Sequence, residues 1–174
     1  MLPQRWIRLL EPDVNLPGAV TLLTPELLQE YQIQGLIFDV DDTLVSSRTR
    51  EMSPEVCQWV QDLKSLVKVV LVSNNLKRAR IRRIAKKLDV PYYFGARKPS
   101  RRSLKKALAV MDLQPQQAAM VGDRLFTDVI AGNRLGMVSI LVEPVQLPTG
   151  EHKTSWLRSV EIWISQWLGA SISK

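Results

Sequence analysis

The sequence predicts an α/β fold: one parallel sheet with helices on both faces. Three observations carry this. Short apolar runs of strand length alternate with stretches whose apolar residues recur at helical spacing. Residues 67–72 are continuously apolar apart from Lys68, as a strand covered on both faces requires. The chain has 174 residues, 45% apolar and 24% charged, which suits one globular domain with one sizeable core rather than a disordered chain.

Taken in order, the first strand is expected at residues 36–40, an apolar run with Asp39 set into it. Ser53-Pro54-Glu55 then opens a helix, with Ser as N-cap and Pro in the first turn. Val56, Val60 and Leu63 give it an apolar stripe. The strand at 67–72 follows. Ile81, Ile84, Ala85 and Leu88 then fall at i, i+3, i+4 and i+7 on one face of a second helix. A short strand at 91–94 comes next, then a helix marked by Leu104, Ala107, Leu108 and Met111. A strand at 118–121, a helix at 128–135 closed by Gly136 and a strand at 138–142 complete the alternation. Five strands with intervening helices read as βα units. The core so drawn covers about residues 33–145 of a single domain spanning 1–174. Residues 1–32 read as an extension, a Pro-rich loop and a short helix from Thr24-Pro25-Glu26. Residues 153–168 read as an amphipathic helix, with Trp156, Val160, Trp163 and Trp167 at steps of four, three and four. Its apolar face could meet the sheet, a partner chain or a lipid surface.

Charge is unevenly placed. The chain carries 24 Lys and Arg against 17 Asp and Glu, net +7. Residues 77–106 hold thirteen of those basic residues and one acid, Asp89, for a local +12; the remainder is −5. Such a field attracts polyanions, anionic membrane surfaces among them, although a solvated basic face is the ordinary explanation. The apolar stripe of the helix at 77–88 must face the sheet, which should turn its seven basic residues outward. A single Cys (Cys57) excludes a disulfide scaffold, and a single His (His152) excludes a multi-His metal centre. No uncharged apolar run approaches the roughly 18 residues of a membrane span. The first ten residues, with two Arg, lack the apolar stretch of a signal peptide. A cytoplasmic protein is expected, with peripheral membrane contact left open.

The residues suited to chemistry cluster at strand ends. Asp39-Val40-Asp41-Asp42-Thr43 leaves the first strand, Ser73-Asn74-Asn75 ends the second, and Gly122-Asp123 with Asp128 follows a later one. Ligands of open α/β sheets bind outside the carboxyl ends of the strands. Asp39, Asp41, Ser73, Asp123 and Asp128 are thus offered to one crevice. Oxygen ligands without His or Cys suit Mg²⁺. Each piece alone is an ordinary turn, cap or loop; the ordered combination is what indicates a site.

With Lys98-Pro99 added, these segments resemble the four motifs of the haloacid dehalogenase-like (HAD) superfamily of phosphotransferases. Arg97-Lys98-Pro99-Ser100 and Ser73-Asn74-Asn75 are similar to subfamily IIIA. Thr24-Pro25-Glu26 and Gly35-Leu36-Ile37-Phe38-Asp39 are similar to its YqeG-like and phosphatidylglycerophosphate phosphatase-like branch. The resemblance implies a Rossmann-like, capless fold. It implies Asp39 as nucleophile, Asp41 as acid and base, and Ser73, Asn74 and Lys98 as phosphate-binding residues. It also implies Mg²⁺ held by Asp39, Asp41 (through its backbone carbonyl), Asp123 and Asp128, with Thr43 bracing the loop. Its implied substrate is phosphatidylglycerophosphate, a lipid-borne phosphate ester.

Spacing supports the capless form. Asp41 and Ser73 are 32 positions apart and Ser73 and Lys98 are 25 apart, gaps that one helix with a loop or strand already fills. Competing readings remain. A phosphatase of a soluble metabolite or a polynucleotide phosphate would fit the same motifs. A nucleic-acid binder would use the +12 segment, but the aromatic residues do not interleave with the basic ones, so no nucleic-acid partner is expected. Cys57 fails as a thiol phosphatase nucleophile, because Leu63 stands where that loop needs Arg. Oligomeric state is left open.

Overall fold

The structure, a computed structural model, describes residues 4–145 together with 160, 161, 163 and 164. Six parallel strands form one sheet: β1 (Val14–Asn15), β2 (Gly35–Phe38), β3 (Lys68–Val72), β4 (Tyr92–Tyr93), β5 (Ala118–Gly122) and β6 (Val138–Leu141), in the order β1-β6-β5-β2-β3-β4. β2 is central, pairing with β3 on one side (Ile37 opposite Val70) and β5 on the other (Ile37 opposite Met120). Every residue of β2 is buried, as its unbroken apolar run requires.

Alternate residues of these strands feed two cores. Leu36, Phe38, Val69, Leu71 and Val121 join the face covered by α3 (Pro54–Lys64) and α4 (Arg78–Leu88). Ile37, Val70, Val72 and Met120 join the opposite face, under α5 (Arg102–Met111) and α6 (Ile130–Asn133). This is the expected arrangement, with helices on both sides. Ser53 caps α3, its Oγ accepting from the Val56 N–H at 3.2 Å. The stripe Ile81, Ile84, Ala85 and Leu88 is buried as its spacing requires. Only loop 39–53 and α3 lie between β2 and β3, so no cap domain is present there.

The structure departs from the sequence reading in three places. The sheet has six strands, not five: Val14 and Asn15 pair with Ile140 and Leu141 as an added edge strand. Leu16, Val20, Leu23 and Leu28 from the same N-terminal region are buried in the α3–α4 core, with the predicted helix from Thr24 at α2 (Pro25–Glu30). The helix expected at 128–135 begins earlier, as a π-helical turn at Leu125–Val129 that runs into α6. Finally, the seven basic residues of the segment 77–88 expected to face outward include one that does not. The Arg80 side chain is only 12% exposed and turns into the strand-end crevice. Of the amphipathic helix expected at 153–168, the four described residues are helical and the rest lies outside the described residues. No helix among the described residues is long and apolar enough to cross a membrane.

Besides its backbone pairing with β6, the added edge strand is tied down by one exchange of hydrogen bonds. Asp13 Oδ2 accepts from the Ser139 N–H at 2.7 Å and from its hydroxyl at 3.0 Å, while the Asp13 N–H donates to Ser139 Oγ at 3.1 Å. Asp13→Ala leaves the fully buried Ser139 without those acceptors, which should cost about 1–3 kcal/mol. A lower urea midpoint with an unchanged slope is expected; an unchanged midpoint would show that β1 is held by other contacts.

Candidate active site

Three carboxylates meet at the carboxyl ends of β2 and β5. Asp39 follows β2 directly and is still tied to the sheet, its N–H donating to Val121 O at 2.9 Å. Asp123 follows β5, and Asp128 sits on the π-helical turn that brings it back over Gly122. One oxygen from each lies within 4.8 Å of the others, and all three residues are buried. The turn is compact because Gly122 has no side chain: a Cβ there would collide with the Asp128 carboxylate.

Lys98 supplies the positive charge. Its ammonium, buried with the rest of the side chain, donates to Asp39 Oδ1 at 2.6 Å and to Val72 O at 2.8 Å. It also pairs with Asp128 Oδ1 at 2.8 Å, though without the alignment of a directed hydrogen bond. Asn74 holds the lysine's backbone, accepting from the Lys98 N–H at 2.6 Å and donating to Lys98 O at 3.2 Å. Its amide is therefore engaged with the backbone of the third motif. Thr43, fully buried, donates to Asp123 Oδ1 at 3.2 Å.

Asp41 lies beside this cluster rather than in it. The turn from 39 to 45, closed by the Leu44 and Val45 N–H groups on Val40 O and by Asp42 at φ 63°, aims its side chain elsewhere. Asp41 Oδ2 accepts from Asn75 Nδ2 at 2.9 Å and from the Ser73 hydroxyl at 3.4 Å, and Oδ1 pairs with Arg80 Nε at 2.9 Å. Arg80 also donates to Ser46 O and Thr49 O, so one guanidinium ties Asp41 to the loop beyond it. The sequence reading missed Arg80 and Asn75. A signal for Arg80 existed: it stands four residues before Ile84, at the border of the apolar stripe. Arg124 pairs with Glu161 at 2.6 Å, and Glu161 also accepts from the Leu125 N–H at 3.1 Å. The described part of the C-terminal segment thereby steadies the turn that carries Asp128.

Burial dominates the electrostatics. It pushes the Asp39 carboxyl up to about 7, opposed by Lys98 and reinforced by Asp128. It pushes Asp123 up to about 8, reinforced by Asp128, Asp39 and Asp42 and opposed by the Thr43 hydrogen bond. Burial alone would drive the Lys98 ammonium toward neutrality, but Asp128 and Asp39 outweigh it and hold its pKa above the ordinary lysine value. Fully ionised, three carboxylates and one ammonium are short of two positive charges. A divalent cation fits that deficit, the all-oxygen donor set and the Asp128 oxygen that lacks a directed donor.

A pH dependence follows. Acids with raised folded-state pKa values stabilise the fold below their unfolded value, about 3.8, and that contribution is lost as pH rises through about 7 to 8. With chelator present, the unfolding temperature should fall between pH 5 and pH 8.5. Added Mg²⁺, which competes with protons for the same oxygens, should raise it more at pH 8 than at pH 5. A Mg²⁺ shift of equal size at both pH values would contradict this placement of the acids.

Comparison with known proteins bears on the family of the chain. Residues 95–166, which include Lys98, Asp123 and Asp128, match a family model described as HAD-hydrolase-like. The Bacillus subtilis (strain 168) protein named "Probable phosphatase YqeG" is 37% identical over 140 residues, covering 80% of each chain. The chloroplastic phosphatidylglycerophosphate phosphatase 1 of Chlamydomonas reinhardtii is 27% identical over 152 residues, 80% of this chain and 56% of that one. Among solved structures, a Legionella pneumophila protein described as a HAD superfamily hydrolase of subfamily III A aligns with a TM-score of 0.52 at 21% identity, over 70% of this chain and 71% of that one. That likeness extends to the fold. With strand-end acids and a buried lysine in place, and a relative this similar over four fifths of both chains, the chain belongs to the HAD-like hydrolases, in the family of the YqeG phosphatases.

Proposed function

We propose that this phosphatase is a Mg²⁺-dependent phosphomonoester hydrolase that works through an aspartyl-phosphate on Asp39. We further propose that its substrate is phosphatidylglycerophosphate, released as phosphatidylglycerol. The observation that carries the chemistry is the buried cluster of Asp39, Asp123 and Asp128 around Lys98. Asp39, Asp123 and Asp128, with the Asp41 backbone carbonyl, would hold Mg²⁺, which when bound neutralises charge on the phosphoryl group.

The chain's own residues account for the rest. An oxygen of Asp39 forms a bond to phosphorus as the ester P–O bond breaks on the opposite side. The departing alkoxide takes the Asp41 carboxyl proton. Asp41, now a carboxylate, removes a proton from water, whose oxygen attacks phosphorus. The bond to Asp39 breaks, phosphate leaves, and both aspartates return to their starting states. Lys98 donates toward the phosphoryl oxygens and Ser73 hydrogen-bonds one of them. Asn74 keeps the lysine's backbone in register with the second motif. Arg80 and Asn75 hold the Asp41 side chain in one orientation through both halves of the cycle.

For the substrate, three observations support a lipid. The short connections leave the site uncapped, which suits a large ester better than a small metabolite that must be enclosed. Exposed basic residues begin at Lys77, four positions after Ser73, and continue along α4. The chloroplastic relative carries the same substrate in its name. We accordingly place the enzyme at the aqueous face of an anionic membrane, peripherally bound.

The test compares phosphate release from phosphatidylglycerophosphate in mixed micelles with release from glycerol 3-phosphate and a 5′-phosphorylated oligonucleotide. The lipid should have the highest kcat/KM, and Asp39→Asn should lower turnover of every ester by at least about a thousandfold. A higher kcat/KM for either soluble ester would replace the lipid by that class. Parent-rate turnover by Asp39→Asn would overturn the mechanism.

A further inference from the structure

Two large apolar side chains stand exposed on neighbouring loops at the rim of the site. Leu76, 76% exposed, lies on the loop that leaves β3, and Phe94, 40% exposed, on the loop that leaves β4. The two loops are joined: the Gly95 N–H donates to Asn75 O at 2.9 Å and the Ala96 N–H to Ser73 O at 3.0 Å. A side chain at Gly95 would begin 3.2 Å from Leu76 Cδ2. The first loop starts at Ser73 and the second ends at Lys98, so this apolar tip borders the catalytic mouth.

Cations surround the tip. The Arg78 guanidinium lies over the Phe94 ring, 5.6 Å from its centroid. Lys77 and Arg97 are both exposed. Arg97 adopts φ 55°, uncommon for a residue with a side chain, and sits directly before the buried Lys98. Single exposed leucines are ordinary on soluble proteins. Here an apolar pair on neighbouring loops, three cations and the mouth of a phosphatase site share one rim.

We propose that this rim is a membrane-docking element that sets Leu76 and Phe94 into the interface of an anionic phospholipid bilayer and places Lys77, Arg78 and Arg97 among its head groups. The occupant follows from the two chemistries together. An apolar tip gains by leaving water for the boundary of the acyl chains, and the cations beside it match the anionic head groups there. A nucleic acid would satisfy the cations but not Leu76. An apolar protein surface would satisfy the pair but bury the cations unmatched. Docked this way, the bilayer brings a head-group phosphate to the mouth between Ser73 and Lys98. The inference rests on the lipid reading of the preceding subsection, and it supplies the surface by which such a substrate is reached.

The experiment uses the full chain and its Leu76→Ser/Phe94→Ser variant, with unfolding midpoints checked to be equal. Sedimentation is measured with vesicles of phosphatidylcholine alone and of phosphatidylcholine with phosphatidylglycerol. The parent should bind the anionic vesicles, release them in high salt, and bind the neutral ones poorly. The variant's partitioning should fall about tenfold, consistent with the loss of two apolar contacts. Its KM for micelle-borne substrate should rise while its hydrolysis of a soluble aryl phosphate stays at the parent level. Parent-like vesicle binding by the variant, binding indifferent to lipid charge, or displacement of vesicles by an oligonucleotide at low concentration would each overturn the proposal. The two readings fail separately. Rim-dependent docking with preference for a soluble ester would reject the lipid substrate and keep the docking surface. Preference for the lipid with normal docking by the variant would do the reverse.

Discussion

The structure depends on keeping three carboxylates and one ammonium out of water at the same point. Isolated buried charges are too costly to persist, so each must be matched. Asp39 is matched by Lys98 and Asp123 by the Thr43 hydroxyl. Asp128 is matched by Lys98 on one oxygen and by the Arg124 N–H on the other. The matching is incomplete by two charges; burial raises the pKa values of Asp39 and Asp123, and their carboxylate neighbours add to the rise. A site that is short of positive charge when empty of cation is one that gains from a divalent metal ion.

The parallel sheet makes this arrangement possible. It places the ends of β2, β3 and β5 side by side, so residues distant in the chain meet without long connections. Two local devices sharpen the geometry. The π-helical turn returns Asp128 over Gly122, where no side chain is tolerated. The paired hydrogen bonds of Asn74 with the Lys98 backbone fix the third motif against the second. The short connections that leave the site open also leave its rim exposed, which joins the catalytic geometry to the question of what the enzyme meets.

Much of this is legible from the chain because the signals are local. The strands β2, β3, β5 and β6 and the stripes of α3, α4 and α5 follow from apolar spacing alone. The acids at strand ends follow from where those runs stop. What could not be read depends on distant partners. Val14 and Asn15 carry no strand pattern of their own; their pairing is set by Asp13 and Ser139, 126 positions apart. Arg80 borders the apolar stripe like other basic residues of α4, and the border position alone does not name Asp41, 39 positions away, as the partner that turns it inward. Arg124 acquires a role only through Glu161. Long side chains at the edge of an apolar stripe have enough reach to choose either environment, and the choice is made by the partner.

In the proposed mechanism Asp39 becomes covalently phosphorylated. The most direct measurement is to quench the enzyme in acid during steady-state turnover and reduce it with borohydride, which converts an acyl phosphate on aspartate to homoserine. The protein is then mapped by mass spectrometry. Homoserine at position 39, formed only when substrate is present, is the predicted result. Homoserine at any other acidic residue, or an unaltered Asp39 in enzyme shown to accumulate a covalent phosphate, would contradict the account.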